Sequence, residues 1–395
     1  MAGLALLAPA SAPAAPADAG SVRFVRPAES SFDRFTRKPA EPTKRFMRAR
    51  YWRMRTYSPY FDRRLGWFRN AWVYQDLYAI YRGSREARRH PEWILRDRHG
   101  RRLYIPFGCR GGRCPQYAAD ISHPGFRRHW IRSARRKLRR GYRGLFIDDV
   151  NMIRRVGDGR GHAVLPRSRG GRAVGERRWR ALVAQFTAEI RRSFRRREIV
   201  HNAIWYAPRD RYVRRQTRAA DWIELERGFN DGGIGPGLTT FGIERFLSQI
   251  DWVHGQRRHV ILDGRAEGET EREYGLAGLF LASSTRDALG NDEGATPARW
   301  WRGYEVRLGA ARGSRYRWHG LLRRDFEHGL ALLNEPGAPV RTVELPSEFQ
   351  RAGGKRVRRV RLGPATGVVL RVPKGAPTKQ QPSPPCTLPL FCPQS

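Results

Sequence analysis

Apolar and polar positions fall into two textures along the chain. Between about residues 45 and 290, short β-type runs are separated by helical patterns, the arrangement of parallel βαβ units. The spacing predicts strands at Arg53–Tyr57, Ala71–Asp76, Tyr117–Ile121, Gly144–Val150, Glu198–Ala203, Trp222–Arg227, His259–Asp263 and Arg286–Leu289. Helices are predicted between them. Phe126–Arg140 follows a Ser-His-Pro start and stops at Gly141, and Glu176–Arg197 sets Trp179, Leu182, Val183, Phe186 and Ile190 on one helical face. Ile243, Phe246, Leu247 and Ile250 make another apolar stripe, and Tyr274–Ser283 another. Eight strands with interposed helices over about 245 residues match a TIM barrel, (β/α)8, in size. A doubly wound open sheet is the second reading, but no Gly-rich phosphate loop follows the first strand.

Beyond about residue 300 the texture changes to short strand-like runs divided by turn residues: Tyr316–Leu322, Gly329–Asn334, Val340–Leu345, Val357–Leu362 and Gly367–Val372. These predict a small antiparallel β domain. The expected organisation is a leader at 1–20, a linker at 21–44, the barrel at 45–300, the β domain at 301–373 and a Pro-rich tail at 374–395. No apolar run is long enough to span a bilayer.

Charge changes this picture only a little. The formal net charge is +40, from 77 basic and 37 acidic residues; six of the basic residues are lysine and the other 71 arginine. The arginines are spread through nearly every stretch of the chain, which reads as a compositional habit more than a selected nucleic-acid face. The excess would still attract anionic polymers at low salt. Residues 1–20 combine a short apolar stretch with Ala/Pro repeats ending in Ala-Asp-Ala, as a secretory leader does, so an exported, extracellular protein is expected. Two close cysteine pairs, Cys109 with Cys114 and Cys386 with Cys392, are expected to be disulfides; a four-cysteine zinc site is the lesser reading because the second pair lies in the Pro-rich tail.

Candidate chemistry follows from where a barrel keeps it, at the C-terminal ends of strands. Read to their ends, the predicted strands carry Tyr57, Asp76, Asp120, Asp148, Asn202, Glu226 and Asp263. Acids after strands also cap helices, which is the competing reading. Alternation helps to choose: Asp148 shares a strand face with Phe146, and Glu224 and Glu226 share one with Trp222. A carboxylate from each of two strands flanking a common mouth is what glycoside hydrolysis requires, one protonating the leaving oxygen and one attacking or activating water. Asp148 is therefore expected as nucleophile or base and Glu226 as general acid. Tyr57, Asp76, Asp120, Asp149, Asn202, Trp205 and Asp263 are expected to contact substrate.

Asp120-Ile-Ser-His-Pro-Gly-Phe-Arg, followed by a helix and Gly141-Tyr-Arg-Gly-Leu-Phe-Ile-Asp-Asp-Val-Asn151, is similar to a glycosidase-type TIM barrel. More closely, Arg53-Met-Arg-Thr-Tyr-Ser-Pro-Tyr, Val73-Tyr-Gln-Asp-Leu-Tyr-Ala, His90-Pro-Glu-Trp-Ile-Leu, Ile223-Glu-Leu-Glu-Arg-Gly-Phe-Asn and Leu332-Leu-Asn-Glu-Pro-Gly resemble a glycoside-hydrolase-like TIM-barrel family of bacterial proteins. The resemblance implies the barrel, the appended β domain and a carbohydrate substrate, and assigns Asp148 as nucleophile or base and Glu226 as proton donor. No cofactor and no metal are expected. Three other functions compete: a non-catalytic carbohydrate-binding barrel, a basic binder of cell-wall polymer or nucleic acid, and a hydrolase with a hard cation on Asp148, Asp149 and Asn151. The clusters Arg132–Arg140 and Arg191–Arg197 are expected on outer helices away from the mouth, so no specific nucleic-acid partner is expected.

Overall fold

The computed structural model describes residues 20, 22–57, 66–230 and 234–373. The leader, the Pro-rich tail and the Cys386/Cys392 pair lie outside the described residues. Among the described residues, ten strands precede residue 300: β1 (Phe24–Ala28), β2 (Arg53–Thr56), β3 (Ala71–Asp76), β4 (Ala79–Tyr81), β5 (Gln116–Ala118), β6 (Gly144–Asp148), β7 (Glu198–Asn202), β8 (Trp222–Leu225), β9 (His259–Asp263) and β10 (Ala288–Gly290). Eight of them close into a barrel in the order β1-β2-β3-β6-β7-β8-β9-β10, every neighbouring pair parallel. The fold is a (β/α)8 TIM barrel followed by an antiparallel sheet.

The strand count agrees with the sequence pattern, but one member differs. Tyr117–Ile121 is not a barrel strand: β5 pairs antiparallel with β4, in an excursion from the mouth that also carries the Cys109–Cys114 disulfide. The eighth position is taken by β1, which lies in the stretch expected to be linker and bridges β2 and β10. Its sequence, Phe-Val-Arg-Pro-Ala, hides an entirely buried strand behind a charge and a proline. Arg26 is buried because its guanidinium donates to the Asp292 carbonyl (3.1 Å) and lies 4.4 Å from the centre of the Phe32 ring.

Strand alternation sorts side chains between two cores. Val25, Trp72, Phe146, Val200, Trp222, Ile261 and Ala288 fill the barrel interior. Residues of opposite parity, such as Val73, Leu145, Ile199 and Leu262, join the larger core under the helices. The helix Glu176–Ser193 buries Trp179, Val183, Phe186 and Ile190, each contributing about 2 kcal/mol of apolar burial. Below the apolar layer, at the N-terminal ends of the strands, Glu198 accepts bonds from Arg53 (2.8 and 2.9 Å), Trp72 (2.7 Å) and Arg143 (2.7 Å). Partial burial opposes ionisation, yet these donors hold its carboxyl at about 2.

The C-terminal sheet contains β11 (Tyr316–Trp318), β12 (Leu321–Phe326), β13 (Gly329–Asn334), β14 (Arg341–Arg351), β15 (Arg356–Leu362) and β16 (Thr366–Arg371), in the order β11-β12-β13-β16-β14-β15. The run Tyr316–Leu322, predicted as one strand, is a hairpin turning at His319 (φ 48°) and Gly320 (φ 78°), the paired positive φ values of a two-residue loop. One face of the sheet packs on the helix Glu269–Ala282, so closely that a Cβ at Gly367 would lie 2.7 Å from that of Ala277. Among the described residues, no helix is long and apolar enough to cross a membrane.

Candidate active site

Inward-facing residues two or four positions beyond the interior core reach the mouth: Tyr74 and Asp76 after Trp72, Asp148 after Phe146, Asn202 after Val200, Glu224 and Glu226 after Trp222. Asp76 and Asp148 are register partners on adjacent strands. On each strand only alternate residues line the barrel, so these groups recur at every second position.

The centre of the site is a single amide. Asn202 Nδ2 donates to Asp148 Oδ1 at 2.8 Å and to Glu226 Oε1 at 2.9 Å. The two carboxylate oxygens therefore lie within about 6 Å of each other, the separation found where one carboxylate attacks carbon and the other handles the proton. Asp148 is held by two further donors, the Tyr74 hydroxyl at Oδ2 and the backbone N–H of Asp149 at Oδ1 (2.7 Å). Glu226, just beyond the end of β8, is exposed. One carboxylate is thus fixed on the rigid strand and the other stands open to solvent.

Tyr74 also touches Asp76, its hydroxyl oxygen 2.8 Å from Asp76 Oδ1, while Tyr81 from the excursion donates to Asp76 Oδ2 (3.0 Å). A phenol has one proton and cannot donate it to two carboxylates at once, so the triad Asp76–Tyr74–Asp148 is satisfied when one carboxyl is protonated. Burial, and then the charge of Asp148, push Asp76 up to about 6. For an acid raised above its ordinary 3.8, the folded state is penalised as pH rises through that interval. The penalty is absent below about pH 4 and complete above about pH 6. Asp76→Asn, whose amide can donate to Tyr74 as a protonated carboxyl would, is expected to gain about 2–3 kcal/mol over the parent at pH 8 and almost nothing at pH 4. Urea unfolding at the two pH values measures the difference.

A second buried layer supports the first from below. Arg55 lies 3.3 Å from Glu224 and 4.7 Å from the centre of the Phe146 ring, and Asn291 donates to Glu224 at 2.8 Å. Burial raises Glu224 to about 7, although Arg55 works against it. Sequence alternation marked Glu224 as inward-facing; nothing in the sequence signalled that Asn291, from the loop after β10, would reach it.

The other predicted contacts divide. Tyr57 is half-buried at the mouth with its ring centre 4.5 Å from that of Tyr74. Beside them a cavity of about 410 Å³ runs past Asp76, Tyr81 and Trp93 to Lys137, whose ammonium burial lowers to about 8. Asp149 has a left-handed backbone (φ 55°) and turns to Asn151 (2.9 Å) and Arg155 (3.9 Å), away from Asn202; burial, then the charge of Asp148, raise it to about 7.

Three further predicted contacts are buried. Asp120 ends no barrel strand; its carboxylate accepts from the backbone N–H groups of Ser122 (2.9 Å) and Arg169 (2.8 Å) and ties two loops together. Trp205 is buried among Tyr206, Phe241 and Phe246 and offers no face to a sugar ring. Asp263, two positions after the interior Ile261 at the end of β9, is fully buried, with Arg265 at 3.2 Å. Among the described residues, no group of three or more His, Cys, Asp or Glu side chains is arranged to hold a metal ion.

A family model described as hypothetical glycosyl hydrolase family 15 matches residues 69–330, well over half of the chain. The chain is a member of hypothetical glycosyl hydrolase family 15. The matched span carries Asp76, Asp148, Asn202, Glu224 and Glu226 together. Family membership supports hydrolase activity on glycosidic bonds in general. No curated protein matches in sequence. Solved structures with a similar fold include the glycoside hydrolase domain of PelA from Pseudomonas aeruginosa (14% identity, TM-score 0.43, covering 73% of this chain and 97% of that one). An α-amylase from Lactobacillus plantarum (10%, 0.47, 88% and 98%) and the GH36 α-galactosidase AgaA from Geobacillus stearothermophilus (9%, 0.48, 90% and 56%) are also similar.

Proposed function

We propose that this member of hypothetical glycosyl hydrolase family 15 is an O-glycosidase acting on a poly- or oligosaccharide, with Asp148 as nucleophile and Glu226 as general acid and then base. The observation that carries the reading is the Asn202 amide bonded to both carboxylates. Carboxylate oxygens within about 6 Å of each other support double displacement with retention over the wider, water-bearing pair of an inverting enzyme. Asp148 suits attack because Tyr74, Asn202 and the Asp149 N–H fix both its oxygens and leave it one orientation. Glu226 suits proton transfer because its exposed position admits first the leaving group and then water.

An extracellular location belongs to the same proposal. It rests on the Ala-rich leader and on the Cys109–Cys114 bond, which persists in oxidising compartments. The experiment that tests the reading is proton NMR of the first product formed from a glycan cleaved by the purified protein. The first-formed anomer is expected to keep the configuration of the bond that was broken; the opposite anomer would require a wider, water-bearing pair of acids.

A further inference from the structure

The opposite end of the barrel holds a second concentration of chemistry. Four loops meet where β7, β8, β9 and β10 begin, and they enclose a concavity of about 280 Å³. The sequence pattern places Arg195, Arg196 and Arg197 on a helix, but the helix stops at Ser193 and all three belong to the loop entering β7. Arg257 and Arg258 come from the loop entering β9, and Arg286 from the loop entering β10.

Two carboxylates border the concavity, and both are already engaged. Glu198 is shared by Arg53, Arg143 and Trp72, as described above. Asp221 accepts from Arg191 (2.7 Å) and from the backbone N–H of Ile199 (2.8 Å). Arg258 and Arg197 spend donors on backbone carbonyls, those of Arg218 (2.9 Å) and Tyr142 (3.2 Å) respectively. Arg195, Arg196 and Arg257 are exposed and make no ion pair among the described residues. At the neighbouring His259, burial first, and then the positive charges of Arg286, His254 and Arg23, bring the ring down to about 4 against the pull of Asp287. The catalytic mouth needs none of these groups, and mutual repulsion among them works against folding.

We propose that this arginine basin is a second ligand site, which binds the oxyanion groups of an anionic polysaccharide. Guanidinium groups converging from separate loops present paired donors to a carboxylate, sulfate or phosphate. A concavity of this size takes one charged saccharide unit rather than the track of a duplex backbone. Nucleic acid is disfavoured for a second reason. The indole in the basin, Trp222, is about 1% exposed and lies 5.4 Å from the Arg286 guanidinium, so it presents no open face for bases to stack on. The site would hold a charged chain on the end of the barrel away from the mouth, independently of which bond the mouth cleaves.

The test is binding of the full chain to sodium polygalacturonate by calorimetry at about 0.15 M salt, with neutral dextran as blank. Arg196→Glu/Arg257→Glu is compared with Arg132→Glu/Arg136→Glu, which changes the net charge equally on an exposed helix face elsewhere. The basin variant is expected to bind at least about tenfold more weakly, with the helix variant within about twofold of the parent. Arg196→Gln/Arg257→Gln, whose thermal unfolding should match the parent, guards against loss through misfolding. Equal weakening in both charge-reversed variants would mean that only diffuse charge is at work and would overturn the site. Absence of binding to polygalacturonate would overturn it too, as would tighter, basin-dependent binding of a 20-nucleotide single strand.

Discussion

Replacing Asp148 by Asn is expected to lower kcat/KM for glycan hydrolysis by about 10⁴-fold or more while the fold survives. The amide is nearly isosteric, and its oxygen can still accept from Tyr74 or from the Asp149 N–H. What it cannot do is form the glycosyl ester. With its oxygen in the Oδ1 place it keeps the bonds from Asn202 and the Asp149 N–H, and its NH₂ faces the Tyr74 oxygen, which can accept. Reducing-end release by parent and variant, with thermal unfolding of each, measures both parts. A variant with near-parental turnover would move the nucleophile elsewhere, and Glu224, the other inward carboxylate of β8, would be the first alternative.

The second large effect is expected at Asn202, which carries no reactive atom. Asn202→Asp removes both donated hydrogen bonds and sets a third carboxylate between two others, 2.8 and 2.9 Å away. Loss of a positioned donor of this kind costs about 10²–10³-fold in kcat. Its charge adds a signature that lost packing would not produce. A like charge disfavours ionisation of its neighbours, so both limbs of the pH–rate profile should move to higher pH. Asn202→Ala should lose rate without that displacement. If the two variants show the same profile, the amide acts through packing alone.

Strand alternation was legible in the sequence, and with it the two carboxylates. A barrel strand has one inner face, so the parity of Phe146 and Trp222 fixed which acids could look into the mouth. Seven of the eight barrel strands carried enough β-branched and aromatic residues to be read. β1 did not, because Arg26 and Pro27 interrupt its apolar pattern and the carbonyl of Asp292 that accommodates the arginine lies 266 positions away. Tyr117–Ile121 misled for the opposite reason: its apolar run serves the excursion hairpin, and Asp120 consequently anchors loops. Trp205 looked like a platform because it follows β7, but Phe241 and Phe246 enclose it. The Asn202 bridge, the Tyr74–Asp148 contact and the arginine basin depend on groups brought together from distant strands and loops, and one-dimensional spacing carries no record of that.

The central claim, that Asp148 attacks carbon while Glu226 manages the proton, is tested most directly by trapping. In Glu226→Gln, a nitrophenyl glycoside of the cleaved sugar can lose its leaving group without protonation, while hydrolysis of the ester lacks its base and stalls. Rapid acid quench, proteolysis and mass spectrometry should then find one glycosyl unit on the peptide containing Asp148. An adduct on any other carboxylate, or fast nitrophenol release with no adduct at all, would contradict the account.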